Sequence, residues 1–193
     1  IVKFYGCYTP VAHTVCLAME YVGGGSLQAW IDRHAAAPEP WLAHISHQCL
    51  LALQYLHSCG RAHCDVKPAN VLVTREGDAK LADFGCASSS VARTMLGTRR
   101  YMAPERLKGE QVVPESDVWS FGLAMAAAAL AECPVAQAHN EFDQVHEGER
   151  VRGFIAAQHG ALSPELRDFL CACLEPDPAA RAGVAALLRH PFL

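Results

Sequence analysis

His63-Cys64-Asp65-Val66-Lys67-Pro68-Ala69-Asn70, with Asp83-Phe84-Gly85 beginning thirteen residues after the asparagine, is the stretch from which the rest of the chain can be read. It gathers two carboxylates, an ammonium and a carboxamide. Moving a phosphoryl group demands little covalent chemistry of a protein. It demands a hydroxyl that is oriented and relieved of its proton, and metal ions held against the phosphate oxygens. Mg2+ is a hard cation that prefers oxygen ligands, which suits the Asp83 carboxylate and the side-chain oxygen of Asn70. Asp65 can accept the proton, and Lys67 can neutralise charge on the migrating phosphate. Seven residue types at fixed offsets would coincide at roughly one start position in a billion if all residues were equally frequent, so accident does not compete.

This pattern resembles the catalytic loop and Mg2+-binding triplet of the protein kinase superfamily. The resemblance implies Asp65 as catalytic base and Asp83, with Asn70, as metal ligands. Lys67, two places after Asp65, looks like the serine/threonine form of the loop, so the implied acceptor is a Ser or Thr hydroxyl of a protein substrate; dual-specificity members share this form. Phe84 and Gly85 open a segment whose end, Gly97-Thr98 and Met102-Ala103-Pro104-Glu105, resembles the end of an activation segment. Asp117-Val118-Trp119-Ser120-Phe121-Gly122 is similar to the start of the family's buried central helix. Arg181 resembles the distant arginine that pairs with Glu105, a contact suited to a planar guanidinium fork. His63, Asp117 and Arg181 are thus implied as structural residues. Met19-Glu20-Tyr21-Val22 looks like the gatekeeper and hinge, where backbone groups meet the adenine of ATP. Gly-Thr-Arg-Arg-Tyr-Met-Ala-Pro-Glu-Arg-Leu, Gly-Gly-Gly-Ser-Leu after the hinge and His-Pro-Phe-Leu at the end are most similar to sterile-type kinases of mitogen-activated cascades. The implied fold is α+β: a mainly helical C-terminal lobe over residues 23–193, preceded by the last N-lobe strands and hinge over 1–22. The implied cofactors are ATP and Mg2+.

Read for local structure, Ile1–Tyr5 and Val15–Ala18, extending through Met19–Val22, are β-branched and aromatic runs flanking a Tyr-Thr-Pro turn, and predict a hairpin. Ser26 is placed to cap a short helix carrying Leu27, Trp30 and Ile31. A break at Pro38 and Pro40 precedes a long helix over Trp41–His57, closed by Gly60 as a left-handed cap. Val71–Val73 and Lys80–Ala82 read as strands around the turn Arg75-Glu76-Gly77-Asp78. Ser88–Arg100 lacks periodicity yet lies between two motif clusters, as a functional loop does. Asp117–Glu132 predicts a buried helix, and Ser163 with Pro164 starts another whose stripe is Leu166, Phe169, Leu170, Cys173 and Leu174.

Two departures from the family pattern stand out. Where Arg is usual, the chain has Cys64, and a thiol cannot make the bidentate contact by which that Arg commonly binds a phosphorylated activation loop. Ser88, Ser89, Ser90 and Thr94 could accept phosphate, or be polar loop residues and no more. Cys64 and Cys86 are read as inert thiols. The second departure is that no G-x-G-x-x-G loop, strand lysine or helix glutamate occurs, and the triple glycine 23–25 is a bend and not a phosphate cradle. Two readings follow: a kinase whose N-terminal lobe lies upstream of Ile1, or a non-catalytic scaffold that keeps a kinase-like lobe for docking. The 193-residue polypeptide alone is expected to be poorly soluble and weakly active or inactive.

Composition narrows the rest. The balance of 16 Lys+Arg against 20 Asp+Glu, net −4, offers no footprint for nucleic acid. The most apolar run, Phe121–Ala131, is about eleven residues against the ~20 that span a bilayer, so no membrane partner is expected. Nine cysteines without a paired framework, and an opening without Met or secretory features, lead to the expectation of a cytoplasmic chain that begins mid-domain. Cys171-x-Cys173 is read as core packing, and His44, His47, His57, His139, His146 and His159 as solvated or hydrogen-bonded groups. Oligomeric state is not specified by the sequence.

Overall fold

The computed structural model describes residues 1–11, 13–89, 97–135 and 141–193, without the side chains of 88–89 and 141–148. It is α+β and mainly helical, with strands only in short two-stranded pairs among the described residues. The first pair, β1 (Phe4–Tyr8) and β2 (Cys16–Met19), is the expected antiparallel hairpin, shifted along the chain. Ile1–Lys3 does not pair as a strand of it. The Lys3 carbonyl accepts from Glu20 N at 2.8 Å at the base of the hairpin, and Val2 donates to the Leu81 carbonyl at 2.9 Å, which moors the hairpin to the rest of the molecule. Its side chains remain in solvent: Phe4, Tyr5, Tyr8, Leu17 and Met19 are all exposed.

Ser26 caps α1 (Leu27–Ile31), its Oγ accepting from Ala29 N at 3.1 Å. The next helix, α2 (Glu39–Ser58), starts inside the stretch expected to be a break. Pro38 is its N-cap and Pro40 lies in its first turn, where a missing N–H costs nothing because those donors have no intrahelical partner. Leu42, Ile45, Cys49, Leu50 and Leu53 bury one face, and Gly60 follows the cap with φ +67. A two-residue strand, β3 (Arg61–Ala62), leads into the motif region; β4 (Val71–Val73) and β5 (Ala79–Leu81) form an antiparallel hairpin, and β6 (Ser88–Ser89) pairs with β3. After α3 (Pro104–Leu107), the centre of the molecule is α4 (Pro114–Leu130), every residue of which from Ser116 to Ala129 is buried. It begins three residues before the expected start at Asp117 because Pro114 occupies the first turn.

Of the later helices, α6 (Pro164–Cys173) packs directly on α4, α5 (Glu141–Ala156) lies against α6 and α3, and α7 (Val184–Leu187) lies against α2. Ser163 caps α6 as expected, accepting from Leu166 N at 3.1 Å. Phe121 of α4 meets Phe169 of α6 edge-on at 6.1 Å, each ring fully buried and so contributing about 1.5–3 kcal/mol. The two helices approach so closely that a Cβ on Gly122 would sit 2.6 Å from the Cys173 Cβ. Cys173 is thus core, with burial pushing its thiol pKa far up. Among the described residues no helix is long and apolar enough to cross a membrane, and no disulfide joins the cysteines.

Candidate active site

The loop from β3 to β4 is held from below by one side chain. Asp117, in the first turn of α4 and 1% exposed, accepts His63 N on Oδ2 at 2.7 Å and Cys64 N on Oδ1 at 2.9 Å. His57, in the last turn of α2, adds its Nε2 to Oδ2 at 2.8 Å. A buried carboxylate with this many donors is paid back its lost hydration. The His63 ring bridges the next two elements: Nε2 donates to the Ala82 carbonyl at 3.0 Å and Nδ1 accepts from Asp65 N at 3.3 Å. Its fully buried ring packs against Phe84 at 4.9 Å.

On this base Asp65 is fixed from three directions. Thr98 N donates to Oδ1 at 2.7 Å, Lys67 Nζ lies 2.7 Å from Oδ2, and Asn70 Nδ2 donates to Oδ2 at 3.1 Å and to the Asp65 carbonyl at 2.8 Å. Lys67 also donates to Thr98 Oγ1 at 2.7 Å, closing a ring of contacts among residues 65, 67 and 98. Burial acts to raise the Asp65 pKa, but the hydrogen bonds from Lys67 and Thr98 outweigh it and hold the carboxyl below the ordinary carboxylate range. Asp65 is therefore ionised, shielded and aimed.

Asp83 is arranged differently. It stands exposed at the end of β5 with φ +61, and its Oδ1 accepts from Gly85 N at 3.3 Å. Asn70, 7% exposed, is tied to the same region because its carbonyl accepts Ala82 N at 2.9 Å. The amide donors of Asn70 are spent on Asp65, so a cation would meet its side-chain oxygen. An Asn oxygen and a free carboxylate are all-oxygen donors and fit Mg2+, which is held by one or two protein groups with water and phosphate completing its shell. Among the described residues no group of three or more His, Cys, Asp or Glu side chains could hold a metal by itself.

Met19–Val22, the expected hinge, carry the chain out of β2; Val22 is buried, while Met19 and Tyr21 are exposed. Glu20 accepts from Lys3 N at 3.1 Å and pairs with Lys80 of β5, so the hinge is clamped to the strand that delivers Asp83.

The far wall is the segment Thr98–Glu105. Met102 and Ala103 are buried, Pro104 starts α3, and Glu105 meets Arg181 in a bidentate pair at 2.8 and 3.0 Å. Arg181 further donates to the carbonyls of Glu115, Glu175 and Pro176, Ser116 Oγ donates to Glu105 at 2.8 Å, and the guanidinium lies 5.2 Å over the Trp119 ring. Burial acts to raise the Glu105 pKa, and the Arg181 contact wins, leaving it lowered.

Most site residues singled out in the sequence are brought together here. His57 and Arg106 are not among them: His57, one of the histidines read as solvated or hydrogen-bonded, is hydrogen-bonded, and the long helix gives no hint that its partner is Asp117. His44 pairs with Asp78 at 2.8 Å, His47 and His159 are exposed, and His139 and the His146 side chain lie outside the described residues. Ser90 and Thr94 also lie outside them, as do the side chains of Ser88 and Ser89. Cys64 packs into a small apolar cluster with Ala62, Val112 and Cys86.

The protein kinase domain family model matches residues 1–193. The chain is 35% identical over 190 residues to mitogen-activated protein kinase kinase 2 of Arabidopsis thaliana, covering 93% of this chain and 52% of that protein. It is 36% identical over 200 residues to mitogen-activated protein kinase kinase 1c of Physcomitrium patens, covering 97% and 58%. It is 33% identical over 221 residues to dual specificity mitogen-activated protein kinase kinase dSOR1 of Drosophila melanogaster, covering 100% and 56%. The chain thus spans about half the length of these curated relatives.

Proposed function

Since the chain belongs to the protein kinase domain family, we propose that it carries the substrate-hydroxyl and Mg2+ side of a serine/threonine protein kinase, transferring the γ-phosphoryl group of ATP to Ser or Thr hydroxyls of protein substrates. The observation that supports this most is the placement of Asp65: a buried, ionised carboxylate held by Thr98 N at 2.7 Å and beside Lys67 at 2.7 Å. Asp65 orients the acceptor hydroxyl and takes its proton. Its lowered pKa makes it a weak base, which suits a reaction whose barrier is reduced mainly by positioning and charge stabilisation. Lys67 offers its ammonium to the phosphate oxygens while Thr98 Oγ1 keeps it in place. Asn70 and Asp83 would hold Mg2+, which when bound neutralises charge on the phosphate oxygens. Backbone groups of Met19–Val22 would meet adenine. The kinship with mitogen-activated kinase kinases favours a place in a phosphorylation cascade and a protein substrate. The unbridged cysteines support a cytoplasmic site of action.

The test is ATP-dependent labelling of a protein substrate by the full-length protein that bears this domain. Phosphoserine or phosphothreonine should form, and Asp65→Asn should reduce kcat by about 10²–10⁴-fold, the range for a general base. A full-length protein that binds partners but shows no Asp65-dependent transfer would establish the scaffold reading in its place.

A further inference from the structure

Arg106 is 1% exposed, heads the fully buried side chains by size, and follows the Glu105 that meets Arg181. Burying a guanidinium is costly unless it meets matched acceptors. One acceptor is the carbonyl of Cys64, which takes Arg106 Nη1 at 2.6 Å, a short charge-assisted bond. That carbonyl belongs to the peptide unit joining Cys64 to Asp65, so its orientation sets the direction in which Asp65 leaves the backbone.

Cys64 itself has φ +68, a left-handed conformation that a residue with a Cβ adopts only when its surroundings impose it. Those surroundings act at both ends of the residue. Asp117 holds its N–H at 2.9 Å, and Arg106 holds its carbonyl. A third constraint closes the site: a Cβ on Gly97 would lie 2.5 Å from the Cys64 carbonyl oxygen, so the segment leading to Thr98 rests directly on the same peptide group. Arg106 follows Glu105 in α3, on the wall where substrate is received.

We infer that Arg106 is a positioning residue for Asp65, locking the strained Cys64–Asp65 peptide from the activation-segment side and tying the substrate wall to the base. This deepens the kinase reading and rests on it for its kinetic arm. Arg106 touches neither the acceptor nor ATP, so its loss should act on turnover and not on ATP affinity.

The experiment compares Arg106→Met and Arg106→Lys in the full-length protein by steady-state kinetics and by amide hydrogen exchange of the peptide covering residues 63–70. Met keeps the volume and removes the donor; Lys restores a donor without the planar fork. R106M should lower kcat by about 10- to 100-fold, as a displacement near 1 Å does, with KM for ATP within twofold. R106K should recover part of that loss, and the 63–70 peptide should exchange faster in R106M than in R106K. If R106M does not fold, R106K against the parent carries the same comparison, with a smaller kcat loss at constant KM and faster exchange. Parental kcat and exchange in folded R106M, or R106K no better than R106M in both readouts, would overturn the inference. A parent without phosphoryl transfer but with faster loop exchange in R106M would overturn the kinase reading while leaving Arg106 in its role.

Discussion

Cys64 and Asp83 both adopt left-handed backbone, at φ +68 and +61; the first precedes the proposed base Asp65, and the second is the proposed metal ligand itself. Around Cys64 and Asp65 the polar atoms are matched by Asp117, Arg106, Thr98, Lys67 and Asn70, all inside the protein or at its edge. Around Asp83 the side chain is exposed and its hydrogen bond runs to its own near neighbour, Gly85. The half proposed to face the hydroxyl is built into the fold; the half proposed to face the metal is carried on a turn. Stability and catalysis are therefore coupled in the first half and separable in the second.

Four substitutions break or sharpen that contrast, in decreasing order of expected effect on stability. Glu105→Gln leaves the Arg181 guanidinium buried without its counter-charge and should cost about 3–5 kcal/mol in chemical denaturation. The same pair supplies an acid signature. Because the folded pKa of Glu105 lies below its ordinary 4.5, the stabilisation is complete above pH 4.5 and fades as pH falls through the lower, folded value. Denaturation midpoints of the parent should thus drop on acidification below 4.5 by more than those of E105Q.

Asp117→Asn keeps one acceptor oxygen for three donors and should cost about 1–3 kcal/mol, with kcat falling alongside because the loop carrying Asp65 loosens. Thr98→Val retains the backbone N–H to Asp65 and removes the hydroxyl that accepts from Lys67 and hydrogen-bonds Asp65. Its expected loss is about 0.5–1.5 kcal/mol of transition-state stabilisation, or roughly 2- to 10-fold in kcat, with a melting temperature close to the parent's. Asp83→Asn should leave stability within about 0.5 kcal/mol, as an exposed side chain allows, while the Mg2+ concentration needed for half-maximal transfer rises. An Asp83→Asn protein that melts well below the parent would erase the distinction between the two halves.

The loop 63–70 and the turn Asp83-Phe84-Gly85 were legible in the sequence as one cluster because the chemistry proposed for them requires fixed residue types at fixed offsets. The caps at Ser26, Ser163 and Gly60 were legible because each satisfies a local hydrogen-bonding or conformational demand. Other parts had no local signal. The helix α5 was not foreseen, since its sequence mixes polar residues and two glycines with too few apolar positions to make a stripe; tertiary contact through Val151 and Ile155 supports it. Pro38 and Pro40 read as a break because proline disrupts a helix interior, whereas its tolerance in a first turn depends on where the helix starts. The left-handed Cys64 and the buried Arg106 were invisible for a related reason. Cysteine has no preference for that conformation, and arginine is ordinarily a surface residue, so only the assembled fold reveals what constrains one and buries the other.

The guanidinium of Arg181 over Trp119 gives the molecule an internal optical reporter. Trp119 is buried at the heart of the fold, 3% exposed, whereas Trp30 and Trp41 lie together near the surface at 4.8 Å from each other. In a variant with Trp30 and Trp41 replaced by Phe, the emission of Trp119 should follow, without any added label, whether the contact between Thr98–Glu105 and Arg181 is closed.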